Sequence, residues 1–535
     1  MSITLSFYTG GGVDGIGGNK ILLETSETAL FLDFGKSFGE EKKYFDEFLK
    51  PRGLNGLGDL LAFDLIPPLR GIYREDLEIP TQNWWEKLTS HPAYKDLIIH
   101  GVLLSHAHLD HSGYLSLLSP DIPVYTSLTS ALISKAIQDC GISDFLSEIV
   151  YAKPKVCMEE GWICSEKTYS LPSQQRPFYV FTNQPFPKPV ESFWEEVPGK
   201  RPLASTPLVP IFERRATIGD LSIRFWPVDH SIPGAGAFGI YTPEGWVIYS
   251  GDLRLSGKRA GETHRFVEEA ATLNPLLLIV EGTRAGLDEN HGSKRFTEQD
   301  VADRISQIIK KAEGLVIADF GARNLERLIS VLKAAEATNR QLVITSQDAY
   351  LLEVLSHCNE TELQNPLGHP HIRVYSERRA RTSEWESSLL GCWETQCLTA
   401  QEVASHPGDF VFCFSYYDFS ELIDINPPSG TYIYSATEAF NEEMQLDAAK
   451  LKNWIDHFHF QLYGNPFAKE NANNQDPLHV GGHARPEELL YIIESIHPRY
   501  LLPVHTECYE FFDKHFGSRK DIQLIRPKVG ESVNL

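Results

Sequence analysis

With 535 residues, 42% hydrophobic, 11% aromatic and 23% charged, the chain has the make-up of an average folded protein and, at roughly 150 residues per domain, the length for two to four domains. That composition excludes long disorder, a collagen-like repeat and a coiled coil. The net charge of −23 repels nucleic acid over most of the surface, so a nucleic-acid partner would need a local basic groove.

In chain order, GGGVDGIGGN (10–19) is followed by a strand pattern, NKILLE, where a dinucleotide fingerprint would open a helix, so it reads as a glycine-rich β-turn. ALFLDFG, GVLLSHAH, LSIRFWPVDH, WVIYSGDLR, PLLLIVEG, GLVIADF, QLVIT, DFVFCF, TYIYSA and YLLPVH are short β-branched or apolar runs. Amphipathic stretches fall between them. FTEQDVADRISQIIKKAEG predicts a helix with Thr297 as N-cap and Gly314 as stop, and NEEMQLDAAKLKNWIDHF predicts another. The alternation gives an α/β chain. Segments 36–97 and 150–215 have weaker periodicity and more proline and aromatics, which marks them as insertions or covering segments. Eight cysteines without a Cys-x-x-Cys pair point to reduced thiols in the cytoplasm. Neither a membrane span nor a secretory leader is expected, since no apolar run approaches roughly 18 residues and MSITLSFYTGGGVDG has no basic or apolar leader region.

The densest chemistry lies in GVLLSHAHLDHSG, where an apolar strand runs into His106, His108, Asp110 and His111. His106 and His108, two apart in an extended segment, point to one side; Asp110 and His111 follow where the chain turns and can face a second point. Imidazole nitrogen and carboxylate oxygen suit zinc, and manganese as carboxylates enter. Four residues are too few for two catalytic metals, so further ligands must come from other strand ends. Of the other candidates, His457 and His459 follow a helical pattern without an Asp-His continuation and read as core or surface residues, and Tyr416, Tyr417 and Phe419 read as core aromatics rather than base-stacking ones.

The run HAHLDH resembles the hallmark of the metallo-β-lactamase superfamily, and the later strand ends comply: His230 after LSIRFWPVDH, Asp252 in SGDLR and His505 in PVHTE. The resemblance implies an αββα sandwich with one metal on His106, His108 and His230, a second on Asp110, His111 and His505, Asp252 bridging, and Asp33 in support. Between Asp252 and His505 lie 252 residues, more than a compact core needs. PLLLIVEGTR, PLHVGGHARPEELL and YLLPVHTE resemble the three ordered motifs of the β-CASP nucleases, with Glu281, His483 and His505 at their characteristic positions, and VIADFGARNLERL resembles a segment of the ribonuclease J family. The implied organisation is a metallo-β-lactamase domain over 1–288, an inserted α/β β-CASP domain over 289–468, and a return segment over 469–535. Gly481 stands where the family usually has serine, and Ser435-Ala436-Thr437-Glu438 stands where its phosphate loop is expected. The sequence runs 30 residues past His505, so the C-terminal domain many members carry is not expected in it.

By this resemblance the protein is a metal-dependent ribonuclease acting on single-stranded RNA through water activated by two zinc or manganese ions. Asp110 orients the water, His483 serves the leaving 3′ oxygen, and Glu281 fixes a histidine tautomer. Arg323, Ser435, Thr437, Gly481 and Gly482 are the expected substrate contacts, with Arg284 and Arg485 near enough in sequence to reach phosphates. RNA rather than DNA rests on His505, where the DNA-acting branch usually has valine. Exonuclease and endonuclease modes both stay open, as do a homodimer and a protein partner held through the insertions. Two alternatives stand beside this reading: a binuclear hydrolase of a small phosphodiester or ester, and a non-catalytic β-CASP-like subunit that binds RNA or a partner.

Overall fold

The computed structural model describes residues 3–535 apart from 11, 14, 47, 142–143, 287–295, 322, 359–361, 364, 437–441 and 467–475. Two mixed sheets face each other. The first has eight strands in the order Val209–Ile211, Phe178–Phe181, Val124–Ser127, Gly101–Leu103, Ala29–Leu32, Ile21–Glu24, Thr4–Phe7 and Ser532–Asn534. The second has seven, in the order Arg215–Ile218, Leu221–Pro227, Gly236–Thr242, Gly245–Tyr249, Leu277–Glu281, Tyr500–Val504 and Gln523–Leu524. Alternation decides the facing: Leu5, Phe7, Leu23 and Leu32 from one sheet meet Ile223, Phe238, Ile240 and Val247 from the other in a shared buried core. Helices cover both outer faces. Leu128–Cys140 packs outside the first sheet, and Ala260–Ala271, Pro486–Ile496 and Tyr509–Phe516 pack outside the second. This is the αββα layering that the family resemblance implies.

A third sheet of seven strands, all parallel, runs in the order Cys397–Leu398, Ile372–Tyr375, Gln341–Ile344, Phe410–Phe412, Leu315–Asp319, Gly430–Tyr434 and Phe460–Tyr463. Its strands read as near-continuous apolar runs because helices cover both faces, as in the inserted α/β unit expected. The predicted helices form. Glu298–Lys311 is capped by Thr297, whose side chain and Asp300 satisfy each other's backbone N–H groups, and Gly314 follows it at φ +72°. The second helix spans Glu442–His457. The expected domain boundaries at 288/289 and 468/469 lie outside the described residues.

Segment 150–215 is more than a covering insertion. Phe178–Phe181 pairs in parallel with Val124–Ser127, and Val209–Ile211 pairs in parallel with Phe178–Phe181, so the segment adds two strands to the first sheet. Arg176 fixes its entry, donating from a buried guanidinium to the carbonyls of Leu115, Leu118, Ser119, Ile122 and Ile149. Segment 36–97 is a cover, with short helices at Phe38–Glu41, Gly58–Ala62 and Trp84–Leu88 and with Leu57, Leu60, Leu65, Ile72 and Leu77 in the outer core of the first sheet. Among the described residues, no helix is long and apolar enough to cross a membrane.

Candidate metal centre

The strand Gly101–Leu103 delivers the histidines to the C-terminal edge of the sheet pair. Beyond it, Asp33 accepts hydrogen bonds from the Ser105 amide at 2.7 Å, from Ser105 Oγ at 2.7 Å and from Tyr249 Oη at 2.6 Å, and contacts His111 Nδ1 at 2.7 Å. Asp33 thereby fixes His111 with Nε2 facing the site. The helix Leu109–Ser112 makes the turn between the two ligand groups. From the other side, the glycine-rich segment packs behind them: Gly18 and Asn19 donate their amides to the Asp110 carbonyl, and Gly12 accepts from the His505 amide. A Cβ on Gly12 would lie 2.2 Å from Asn19 Oδ1, so only glycine allows this approach. Buried Lys20 donates to the Gly18 and Gly35 carbonyls and holds the segment down. The strand pattern read after this segment forms as Ile21–Glu24, which pairs antiparallel with Thr4–Phe7.

Two groups of ligand atoms result. His106, His108 and His230 converge, with His106 Nε2 and His230 Nε2 at 3.1 and 3.2 Å from His108 Nδ1. Asp110, His111, Asp252 and His505 form the second group; Asp252 Oδ2 lies 3.0 Å from His111 Nε2, 3.9 Å from His505 Nε2 and, toward the first group, 3.7 Å from His106 Nε2. Asp252 therefore stands between the two. His111 Nε2 and Asp252 Oδ1 are buried without a hydrogen-bond partner. Orphaned donor and acceptor atoms at the meeting point of five imidazoles and two carboxylates fit a pair of cations. His230 is oriented from behind by the Gly482 carbonyl, 2.6 Å from its Nδ1, and a Cβ on Gly482 would press on Ser231 and His230.

Burial, together with neighbouring histidines, holds His106 and His230 well below the ordinary histidine range. His108 is pushed down to about 4, chiefly by burial. All three are therefore neutral, as metal ligands must be. Burial would raise Asp110 and Asp252, but the adjoining His111 and His505 outweigh it and keep both carboxyls ionised. His111, depressed by burial but surrounded by Asp252, Asp110 and Asp33, ends well above the usual range. The site accumulates negative charge that cations would neutralise.

Beside this cluster, Glu281 ends its strand and meets His483 Nδ1 at 3.2 Å, and its carboxylate also accepts from the Leu253 and Ala484 amides at 3.3 Å. Burial lowers His483, but Glu281 and Asp252 more than offset it and bring the imidazole up to about 9. Thr283 links the groups, with Oγ1 at 3.1 Å from His483 Nδ1 and 2.8 Å from His505 Nδ1. Sequence reading passed over Thr283, although it stands two residues after Glu281.

The expected substrate contacts differ in placement. Arg323 is half-buried beside the N-terminus of the helix Leu325–Ala337, its backbone in the left-handed region at φ +76°, and its guanidinium depresses His108. Among the described residues its side chain has no hydrogen-bond or ion-pair partner. Ser435 faces inward, donating to the Leu478 carbonyl and accepting from Arg327. Gly481 lies beneath the Arg284 guanidinium. Thr437 lies outside the described residues. His457 and His459 are exposed and take no part; of the three aromatics expected in the core, Phe419 is buried, Tyr416 is half-buried and Tyr417 is exposed.

A buried charge chain ties the metal loops to the inserted sheet. Asp229, preceding His230, contacts Arg254 Nε at 3.3 Å; Arg254 donates to Glu298 and Glu326 at 2.9 Å; Arg327 holds Glu298 from the other side at 2.7 Å and reaches the Ser435 carbonyl at 2.7 Å.

No family model matches the chain. Among curated proteins, the chain is 24% identical over 516 residues to "Ribonuclease J" of Pyrococcus abyssi, covering 94% of this chain and 90% of that protein. It is 20% identical to "Ribonuclease J" of Helicobacter pylori over 94% of this chain, where it spans 56% of that protein, and 25% identical to the Mycoplasma pneumoniae protein of the same name over 53% of this chain and 46% of that one. A crystal structure of a protein of unknown function from Enterococcus faecalis shares the fold across both whole chains, with a TM-score of 0.67 and 22% identity. Motifs, layer order and relatives converge on one resemblance: the chain is similar to the ribonucleases J, of the β-CASP branch of the metallo-β-lactamase superfamily.

Proposed function

We propose that the protein is a metal-dependent ribonuclease that hydrolyses phosphodiester bonds of single-stranded RNA. The observation that carries this reading is the adjacency of the two ligand groups, joined by Asp252, to the Glu281–His483 pair. In it, His106, His108 and His230 would hold one ion and Asp110, His111 and His505 the other, with Asp252 shared between them; the nitrogen-rich donor set suits zinc, and the carboxylates admit manganese. Bound ions there would supply a water ionised near neutral pH and neutralise phosphate charge.

The chain's own groups do the remaining work. Asp110, kept ionised by His111 and His505, orients the attacking water. His483, held as an imidazolium by Glu281, gives its proton to the leaving 3′ oxygen. Thr283 and the Glu281 carboxylate keep that ring in place, and Arg323 offers its charge to a substrate phosphate. In domain terms, residues 1–288 and 469–535 supply the ligands and His483, and residues 289–468 supply the opposite wall of the cleft.

The test offers matched RNA and DNA strands, labelled at the 3′ end, to protein loaded with zinc or manganese. RNA cleavage that falls by about 10²- to 10⁴-fold in His483→Ala, with DNA spared, is the expected result. Equal cleavage of both strands would overturn the RNA assignment, and an unchanged His483→Ala rate would overturn the role of His483.

A further inference from the structure

Gly481 and Arg284 occupy one volume between them. A Cβ on Gly481 would lie 1.8 Å from Arg284 Nη1 and 2.9 Å from its Cζ, so the guanidinium lies where a side chain at 481 would stand. Both residues flank the Glu281–His483 pair: Arg284 comes three residues after Glu281, and Gly481 two before His483. Arg284 is half-buried, so part of it stays open to solvent. Its charge is felt on the pocket side, where it helps hold His479 down at about 4, after burial and Arg327. The hydroxyl expected at 481 from the family resemblance is missing, and a cation fills its place.

We propose that Arg284 is a substrate-binding residue: seated over Gly481, it grips a phosphate of the RNA strand next to the scissile one, and the glycine is required because any side chain at 481 would expel it. The inference rests on the ribonuclease reading above and names the group that holds the strand. In a protein of net charge −23, a strand is held only where cations are concentrated, and a guanidinium presents paired donors matching a phosphate.

The test measures binding of a fluorescent single-stranded RNA to metal-loaded protein across a salt series, in a His483→Ala background so that the strand stays intact. Arg284→Gln removes the charge. Gly481→Ala keeps it but displaces it, a change the flexible end of an arginine absorbs without unfolding; thermal melts check both variants. Each variant should bind about tenfold more weakly, and the slope of log affinity against log salt should shrink by about 0.7, one phosphate contact on a single strand. A purely structural Arg284 would leave that slope alone. Binding by the parent with unchanged slopes in both variants would overturn this inference and leave the ribonuclease reading standing; no RNA binding by the parent would remove that reading and the inference with it.

Discussion

Glu281 shows how one carboxylate sets the chemistry of another group. It is buried, it accepts from backbone amides on two sides, and it faces His483. Because the raised imidazole is fully charged below its pKa and loses its proton as pH climbs through it, Glu281 would extend the range over which His483 serves as the acid of the proposed reaction. Glu281→Gln removes the largest raising influence. The alkaline limb of the kcat profile should move to lower pH, and an unmoved limb would mean that another group sets it. Glu281 and His483 were legible in the sequence because they lie in ordered motifs. Thr283, Tyr249 and Asn19 were not: a threonine, a tyrosine and an asparagine have many ordinary uses, and only the fold brings Thr283 onto two histidines separated from it by 200 and 222 residues. His505 and Asp33, at φ +54° and +57°, are held in a conformation non-glycine residues seldom adopt, a cost of about 1–3 kcal/mol each that their surroundings must offset.

Between elements, the charge chain Asp229–Arg254–Glu298–Arg327 joins the His230 loop to two helices of the inserted unit, and every member is buried. Breaking such a chain strands charges away from water. Arg254→Met should destabilise the protein by about 3–5 kcal/mol, read by chemical denaturation, and should weaken metal retention because Asp229 also anchors the Gly257 amide and the Arg254 backbone. Wild-type stability in that variant would show that the chain is dispensable. A second buried group reports on the inserted sheet itself. Asp319, at the end of Leu315–Asp319, is pushed up to about 7 chiefly by burial, with Tyr432 donating to it. The folded protein keeps that proton between roughly pH 4 and 7 while the unfolded chain has lost it, so this group's contribution to stability falls as pH rises across that window. Relative to Asp319→Asn, the wild type should lose on the order of 3 kcal/mol between pH 4 and 7; parallel pH profiles would contradict this.

At the scale of the whole molecule, the fold was largely legible because both sandwich sheets and the inserted parallel sheet announce themselves as apolar runs ending in chemistry-bearing residues. Segment 150–215 was not. FYVF at 178–181 looks like any short apolar run in a proline-rich stretch, and its parallel partner at Val124–Ser127 lies some fifty residues earlier; pairing at that distance is fixed by topology, not by local pattern. The placement of Ser435 also escaped the sequence, since nothing in TYIYSA tells that its hydroxyl turns inward to Leu478. The candidate ligands were legible as a group because HAHLDH concentrates side chains that rarely share six residues for structural reasons alone, and because His230, Asp252 and His505 follow the ends of other strands.

If seven residues assemble a two-ion centre that cleaves RNA, metal content and activity must rise together. The most direct test follows cleavage of a 3′-labelled RNA as metal-stripped protein is titrated with zinc or manganese, the bound metal being counted at each step. Activity should rise until two ions are bound per chain and then level off. Saturation at one ion, or two ions bound with the RNA left intact, would contradict the account.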